Sequence, residues 1–218
     1  MEFEEERHLL IKRLLRYGYI KSDEAVRAME AVPRHLFVPE NRRKSAYVDT
    51  PLPIGGGQTI SAPHMVGIMV EAADLAPGMR VLEIGGGSGY HAAAMAEMVR
   101  PGGKIITVER LPSLAEKARS NLEITGYSDI VQVVVSDGSL GYPVEKPYDR
   151  IVVTCGAPHI PQPLKDQLKD GGKLLVPVGG MGYQELLRVT RNGNDFTVEN
   201  LGGCVFVPLI GEHGFKEK

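Results

Sequence analysis

The sequence predicts an α/β fold of the doubly wound type, in which helices flank a mostly parallel sheet. From Arg80 onward, five short apolar runs rich in β-branched residues alternate with helical segments: RVLEIG, KIITVE, VQVVVS, RIVVTCG and KLLVPVG. Unbroken apolar runs of this length are typical of strands buried on both faces. Their alternation with helices indicates right-handed crossovers between parallel strands. A glycine-rich loop, EIGGGSGY, ends the first run and opens a helix.

Two helices are predicted ahead of this region and form an N-terminal helical extension. Residues 4–17 place apolar side chains at helical spacing, and Gly18 ends the pattern. The second helix is predicted from about Asp23 to Val32. We expect Ser22 to be its N-cap, because a serine side chain accepts a hydrogen bond from the free amides of a first helical turn.

A long irregular stretch, residues 33–59, separates the second helix from a third that is predicted to begin near Ala62. A connection of this length is unusual in a compact domain unless it has a function. It leads into GGGQTISAPHM, which places three glycines, a glutamine and two hydroxyl residues just ahead of an amphipathic segment. We therefore treat this run as a candidate site.

The C-terminal part changes pattern. The predicted helices of the α/β region are HAAAMAEMV, LAEKARSNLEI and PLKDQLKDGG, and none is predicted after Gly180. QELLRVTR and DFTVENLGGCVFVPLI read as strands joined by a turn at Asn192 and Gly193. The expected architecture is five parallel strands with a C-terminal antiparallel hairpin at one edge. We assign one domain, 1–218, with three parts: N-terminal helices and loop 1–75, core 76–180, and C-terminal strands 181–218.

Composition and charge argue against several classes of protein. Hydrophobic residues make up 43% of the 218 residues and charged residues 24%, as in ordinary globular proteins. The formal net charge of −2 argues against a nucleic-acid partner. We find neither a signal peptide nor the roughly 20 apolar residues of a membrane span. The two cysteines, Cys155 and Cys204, lie far apart, so we expect free thiols, a cytoplasmic location and no metal site.

Three features after consecutive strands indicate a nucleoside-containing ligand. Gly85, Gly87 and Gly89 form G-x-G-x-G at the end of the first strand, where open α/β sheets bind ligands and glycine lets the backbone come close. Glu109 ends the second strand, where a carboxylate can accept hydrogen bonds from both ribose hydroxyls. Asp137 follows the third strand and is expected to bind an adenine amino group. Each carboxylate taken singly can instead be a solvated strand end, but the three features together favour a site.

The glycine pattern also distinguishes between cofactors. The dinucleotide fingerprint G-x-G-x-x-G/A is broken by Tyr90 at its last position. The sequence contains no P-loop and no G-x-S-x-G nucleophile elbow. G-x-G-x-G with Glu83 just before it suits a cofactor without phosphates. We therefore expect S-adenosylmethionine, with its amino-acid end over the glycines.

The segment after the fourth strand favours an oxygen as the methyl acceptor. Methyltransferases that act on base or amide nitrogens often carry an acid-Pro-Pro-aromatic motif at this place. Here the segment reads TCGAPHIP, so the motif is absent.

A series of motifs in order then resembles one family, the protein-L-isoaspartate O-methyltransferases of the class I, Rossmann-like methyltransferase superfamily. The motifs are GQTISAPHM, VLEIGGGSGYHAA, VER, SDG, YDRIVVTCGAPHIP, LKDGGKLLVPVG and FVPL, and they span roughly residues 32–209. GQTISAPHM is the specific element, since the glycine loop indicates only the superfamily. Two positions depart from the usual pattern: Glu83 stands where aspartate is common, and SDG replaces GDG.

The resemblance implies a repair reaction. Such an enzyme transfers a methyl group from S-adenosylmethionine to the free α-carboxylate of an L-isoaspartyl residue and releases S-adenosyl-L-homocysteine. The ester closes to a succinimide, whose hydrolysis returns some normal aspartate. Isoaspartyl-containing proteins and peptides are then the partners, with D-aspartyl residues as weaker substrates. We expect the enzyme to be a monomer.

The chemistry of the acceptor fits the run 55–65. A carboxylate is ionised at pH 7 and needs no general base. Neutral donors suit it, because a tightly paired cation would stabilise the ground state and oppose transfer. We expect Ser61 to orient the acceptor as the catalytic residue, with Thr59 and the backbone from Ile60 to Ala62 also binding the substrate. The alternative is that Ser61 is only the N-cap of the third helix.

The remaining site predictions concern the cofactor. His64 is expected at its carboxylate end, with a packing histidine as the alternative. Arg110, which follows Glu109, and Gly138, which follows Asp137, are also expected to bind the cofactor. We assign Cys155 no catalytic role.

Other functions stay open from the sequence alone. One is a methyltransferase of the same fold that acts on a small molecule or an RNA, although the charge balance argues against RNA. A second is a hydrolase that uses Ser61 with His64, which lacks an evident acidic partner. A third is an adenosyl-binding module without catalysis.

Overall fold

The structure is a computed structural model that describes residues 2–217, and its centre is a seven-stranded sheet. The strands are β1 Leu52–Gly55, β2 Gln58–Ile60, β3 Arg80–Ile84, β4 Lys104–Glu109, β5 Val131–Val135, β6 Tyr148–Val153, β7 Leu168–Gly180, β8 Tyr183–Asn192 and β9 Asp195–Cys204. The helices are α1 Glu2–Arg16, α2 Asp23–Ala31, α3 Pro63–Ala73, α4 Tyr90–Val99, α5 Pro112–Ile124 and α6 Gln162–Asp166. Four short 3-10 helices lie at Arg34–Leu36, Glu40–Ser45, Gly138–Leu140 and Pro143–Glu145.

The sheet order is β5-β4-β3-β6-β7-β8-β9, and the first five of these strands are parallel. β8 and β9 are antiparallel and close one edge as a hairpin. The predicted architecture of five parallel strands with a C-terminal hairpin is therefore confirmed. The strand order reverses between β3 and β6, and open α/β sheets bind ligands at the carboxyl ends of the strands beside such a switch point.

The two faces of the sheet are covered differently. Along β3, Val81 packs into the cluster that contains helices α1 to α5, whereas Leu82 and Ile84 point to the opposite face. That opposite face is covered mainly by α6, by the segment before β6 and by Leu209 from the C-terminal segment. This alternation follows from the two-residue period of a strand, which sends successive side chains to opposite faces.

The N-terminal predictions are largely confirmed. The first helix ends at Arg16, and Gly18 follows in the left-handed region with φ 72°. Ser22 caps α2 by accepting a hydrogen bond from the Ala25 amide at 3.2 Å. The third helix begins at Pro63, one residue after the predicted start.

Two predicted elements are wrong in extent. The helical segment PLKDQLKDGG is helical only over α6, because Leu168 already pairs with Tyr148 as the start of β7. The last predicted strand stops at Cys204 instead of Ile210. The Phe206 amide there donates to the Gln184 side chain at 2.8 Å, and the chain leaves the hairpin edge.

The irregular stretch 33–59 contains structure that the sequence did not predict. β1 and β2 form a small antiparallel hairpin around Gly55, Gly56 and Gly57, all of which have positive φ. No helix among residues 2–217 has the length and apolarity that crossing a membrane requires.

Candidate active site

A cleft lies at the carboxyl ends of the parallel strands, beside the switch point. One side is the glycine loop, residues 85–88, with the start of α4. The facing side is residues 58–61 with apolar residues of α3. The remaining wall comes from the loops after β4, β5 and β6 and from the C-terminal segment, namely Val108, Glu109, Arg110, Leu111, Gly138, Thr154, Cys155 and residues 206–210.

The glycine loop requires its glycines for conformation and for space. Gly85, Gly87 and Gly89 have φ of 96°, 54° and 85°, a region that costs other residues energy. A Cβ on Gly85 would also lie 2.5 Å from the Thr154 hydroxyl oxygen. The loop therefore runs with its backbone exposed toward the cleft, where a ligand can approach it closely. Gly89 itself lies outside the cleft wall.

Glu109 is buried in the wall and ties two loops together. Its Oε2 accepts a hydrogen bond from the Gly87 amide at 2.9 Å, and its Oε1 accepts one from the Leu111 amide at 2.9 Å. Each carboxylate oxygen has two acceptor positions, so both keep one free for a hydroxyl donor. The predicted ribose contact is therefore compatible with the geometry.

Glu83 is in a different position from the one expected. It is fully buried and lies outside the cleft wall. Its carboxylate pairs with His91 Nδ1 at 2.7 Å and accepts from the Thr107 hydroxyl at 2.5 Å. His91, which no sequence motif indicated, lines the cleft one residue into α4. His91 Nε2 is buried and has no hydrogen-bond partner among residues 2–217, so the contact between Nδ1 and Glu83 is the one that orients the ring.

Ser61 lies in the wall across from the glycine loop. The N-cap of α3 is Ala62, with no side-chain cap, so the interpretation of Ser61 as only an N-cap is wrong. Its hydroxyl makes no hydrogen bond within the described part of the chain, and Thr59 and Ile60 line the cleft beside it. Ala62 is buried and lies outside the wall.

A buried arginine fixes this loop from behind. Arg34 is fully buried and donates to the Ser61 carbonyl at 2.8 Å and to the Ala46 carbonyl at 2.9 Å. Its guanidinium lies 5.0 Å from the centre of the Tyr90 ring. Burial raises the pKa of Tyr90 to about 12, so this cleft residue is neutral at physiological pH. No local sequence pattern predicts this role for Arg34, because its partners lie 12 and 27 residues away.

His64 does not meet Ser61. Its Nδ1 pairs with Asp49 at 2.9 Å, its ring packs on Tyr19, and it lies outside the cleft wall. No hydrogen bond joins Ser61 to His64 among residues 2–217, so the geometry gives a Ser-His hydrolase no support.

Asp137 also faces away from the cleft. Its Oδ1 accepts from the amide and the hydroxyl of Ser139, and its Oδ2 accepts from the Glu212 amide at 2.8 Å. Gly138, next to it, does line the cleft. Arg110 lines the cleft as well and pairs with Glu217 at 2.9 Å.

The sequence-predicted site residues thus fall into two groups. Eight line the cleft: Thr59, Ile60, Ser61, Gly85, Gly87, Glu109, Arg110 and Gly138. Five lie outside its wall: Ala62, His64, Glu83, Gly89 and Asp137. Within residues 2–217, no group of three or more His, Cys, Asp or Glu side chains is placed to hold a metal ion.

A mostly parallel sheet with a glycine-rich loop after β3 and a carboxylate at the end of β4 defines a class I S-adenosylmethionine-dependent methyltransferase. The family model described as Protein-L-isoaspartate(D-aspartate) O-methyltransferase (PCMT) matches residues 5–214. The chain belongs to this family, whose members use S-adenosylmethionine.

Similar proteins agree with this assignment. The chain is 57% identical to a protein-L-isoaspartate O-methyltransferase of Methanopyrus kandleri, over 99% of this chain and 96% of that protein. It is 56% identical to the one of Hyperthermus butylicus, over 99% and 92%. A solved structure described as a protein-L-isoaspartate O-methyltransferase of Plasmodium falciparum in complex with S-adenosyl-L-homocysteine superposes with a TM-score of 0.84. It shares 28% identity and covers 94% of this chain and 98% of that one.

The two thiols should be inert in the folded protein. Cys155 and Cys204 are buried; burial and the charges of Glu109 and Glu83 raise the pKa of Cys155, and burial raises the pKa of Cys204 to about 11. Because the thiolate is the reactive form, we expect iodoacetamide at pH 8 to modify neither thiol while it fully modifies the guanidinium-denatured protein. Mass spectrometry after timed quenching checks this, and rapid labelling of native Cys155 would contradict the buried position.

Proposed function

We propose that this cleft binds S-adenosylmethionine and the free α-carboxylate of an L-isoaspartyl residue on facing sides. Methylation of isoaspartyl residues is the activity of the family. The observation that carries the proposal is that Ser61, whose hydroxyl is unpaired within residues 2–217, lines the same cleft as the glycine loop. The cleft thus has one wall suited to a nucleoside cofactor and another suited to a carboxylate.

The cofactor side has the groups that this cofactor needs. We assign its amino-acid end to the backbone of the glycine loop, its ribose hydroxyls to Glu109, and its adenine to the wall near Gly138 and Arg110. When bound, S-adenosylmethionine supplies a methyl group activated by a sulfonium. Glu83, which we expected at the cofactor, acts instead through His91, because its carboxylate is bonded to His91 and Thr107.

The acceptor side contains neutral donors only. No charged residue occurs between Thr50 and Pro63, and Arg34 lies behind the loop, outside the cleft wall. Transfer joins an anion to a cation, so charge disappears in the transition state, and a dry site disfavours the separated charges of the ground state. The Ser61 hydroxyl orients the carboxylate without adding a full positive charge that would stabilise the reactants.

We also propose that the enzyme works as a monomer in the cytoplasm. The residues that we assign to the cofactor and to the acceptor line one continuous cleft of this chain. The free thiols of Cys155 and Cys204 fit a reducing compartment.

The Glu109 assignment predicts a loss of cofactor affinity. Glu109→Ala removes charge-assisted hydrogen bonds, so we expect S-adenosylmethionine binding to weaken by about 1.5–3 kcal/mol. Isothermal titration calorimetry measures this. Glu116→Ala, which removes an exposed carboxylate on α5, is the matched control and should bind normally. Unchanged affinity in the Glu109 variant would contradict the placement of the cofactor beside this carboxylate.

The Ser61 assignment predicts a loss of rate without a loss of stability. In Ser61→Ala we expect cofactor affinity and melting temperature near the parent values, because Ser61 does not cap α3. Methyl transfer should fall about tenfold to over a hundredfold, since a hydrogen bond to a charged partner contributes about 1.5–3 kcal/mol.

Ser61→Asp sharpens this test. The aspartate should repel the substrate carboxylate, so transfer to an isoaspartyl peptide should nearly stop. A folded Ser61→Asp protein with the parent rate would disprove the orienting role.

The acceptor geometry predicts strong selectivity between isomeric peptides. In an isoaspartyl residue the free carboxylate is attached directly to a chain carbon, whereas in an aspartyl residue one more methylene separates the two. Misplacement of a reacting atom by about 1 Å can cost about a hundredfold in rate. We expect at least that preference for the isoaspartyl form when peptides of one sequence are compared by labelled methyl transfer. Equal kcat/KM values would refute the proposed substrate.

A further inference from the structure

The C-terminal segment, residues 205–217, forms a strap across the carboxyl ends of the parallel strands. It leaves the hairpin edge where the Phe206 amide donates to Gln184. It then pairs with Gly156 after β6, through bonds of 2.8 Å between Gly156 and both Val207 and Leu209. Residues 206–210 of the strap form part of the cleft wall. The strap therefore covers the site whose other walls are the glycine loop and the acceptor loop.

The far end of the strap is fastened to the loop after β5. The Glu212 amide donates to Asp137 Oδ2 at 2.8 Å, and the His213 amide donates to the Ser139 hydroxyl at 3.0 Å. Ser139 is fully buried and donates its own proton to Asp137 Oδ1 at 2.7 Å. Two side chains thus accept consecutive backbone amides of the strap.

The fit between strap and anchor is close. A Cβ on Gly211 would collide with Asp137 Oδ1 and would lie 2.6 Å from the Ser139 hydroxyl oxygen. The strap beyond Gly211 turns back on itself through the Phe215 amide, which donates to the Leu209 carbonyl at 2.7 Å. Displacement of this anchored turn therefore acts directly on Leu209, which lines the cleft.

Both oxygens of the Asp137 carboxylate take part in this anchor. Burial alone would raise the pKa of its carboxyl, but hydrogen bonds from the Glu212 amide and from Ser139 hold that pKa below its ordinary value. Hydrogen bonds to an ionised acceptor are about twice as strong as neutral ones. Arg110, which lines the cleft, adds an exposed ion pair to Glu217, and such pairs contribute little.

We propose that Asp137 and Ser139 are positioning residues that hold the strap closed over the cofactor, and that cofactor exchange requires its release from them. The inference rests on the proposed placement of S-adenosylmethionine in this cleft. It replaces the expected direct contact between Asp137 and adenine with an indirect role. Weakening the anchor should then speed dissociation of the cofactor, and the effect should be the same for a ligand with the adenine amino group and for one without it.

Dissociation of S-adenosyl-L-homocysteine from the full-length protein, measured by stopped-flow fluorescence and calorimetry, tests this. We expect Asp137→Asn to raise the dissociation rate about tenfold, because an amide nitrogen then faces the Glu212 amide and one charge-assisted bond is lost. Ser139→Ala should raise the rate about fivefold, because the His213 amide loses its acceptor and Asp137 loses one of its donors. Ser120→Ala, on the exposed face of α5, is the control and should leave the rate unchanged.

A second pair of variants disturbs the strap without altering its anchor. Gly211→Ala forces the strap away from Asp137, so it should speed dissociation, whereas Gly182→Ala, where a Cβ meets open space, should not. Circular dichroism melting of each variant without ligand shows that it is folded. Amide hydrogen exchange at residues 211–215 should be faster in Asp137→Asn, Ser139→Ala and Gly211→Ala than in the two control variants.

A cofactor analogue separates the indirect role from a direct one. S-inosyl-L-homocysteine lacks the adenine amino group. If Asp137 contacts that group directly, Asp137→Asn should speed dissociation of S-adenosyl-L-homocysteine but not of the inosyl analogue. If Asp137 acts through the strap, the variant should speed dissociation of both ligands equally. An increase confined to S-adenosyl-L-homocysteine, or parent dissociation rates in Ser139→Ala and Gly211→Ala, would overturn the inference. If Glu109→Ala also bound normally, the placement of the cofactor itself would be wrong.

Discussion

The carboxylate of Glu109 is the constraint on which the cofactor side of the site depends. It accepts the amides of Gly87 and Leu111, so one buried side chain fixes both the glycine loop and the turn after β4. The glycine loop has left-handed glycines without side chains of their own, so its conformation depends on anchors from outside the loop. Thr154 and Asn121 donate to its carbonyls, and Glu109 adds the bond to its amide. The same carboxylate that shapes the loop is thus the one offered to the ligand.

Charge is distributed in the cleft according to what each side binds. Glu109 and Arg110 lie on the cofactor side, and Arg34 lies behind the acceptor loop. The acceptor side has hydroxyl and backbone donors, and the nearest buried cation, Arg34, is turned toward the Ser61 carbonyl. Within residues 2–217 no ion pair joins Arg34 to an acidic side chain, and a buried guanidinium of this kind costs energy. Its carbonyl partners and the Tyr90 ring partly offset that cost. The arrangement positions the acceptor loop without placing a positive charge against the nucleophile.

Two acidic residues that end neighbouring strands have different roles in this structure. Glu109 faces the cleft, whereas the carboxylate of Asp137 faces the strap. The difference arises because the strap supplies the amide of Glu212 on the outer side of Asp137, and an ionised oxygen binds such a donor strongly. The loop after β5 therefore contributes its backbone at Gly138 to the cleft and its side chains to the closure of the cleft.

The sheet, the glycine loop and Glu109 could be predicted from the sequence, because they depend on local patterns. Apolar runs predict buried strands, and glycines directly after a strand predict that the backbone there approaches a ligand closely. The directions in which the polar side chains point could not be predicted, because they depend on long-range contacts. Arg34 reaches Ser61 across 27 residues, and Asp137 reaches Glu212 across 75. Contacts between residues this far apart produce no periodic pattern in the sequence. The strap and its anchor can therefore be identified only from the structure, in which the sheet brings both segments to one edge.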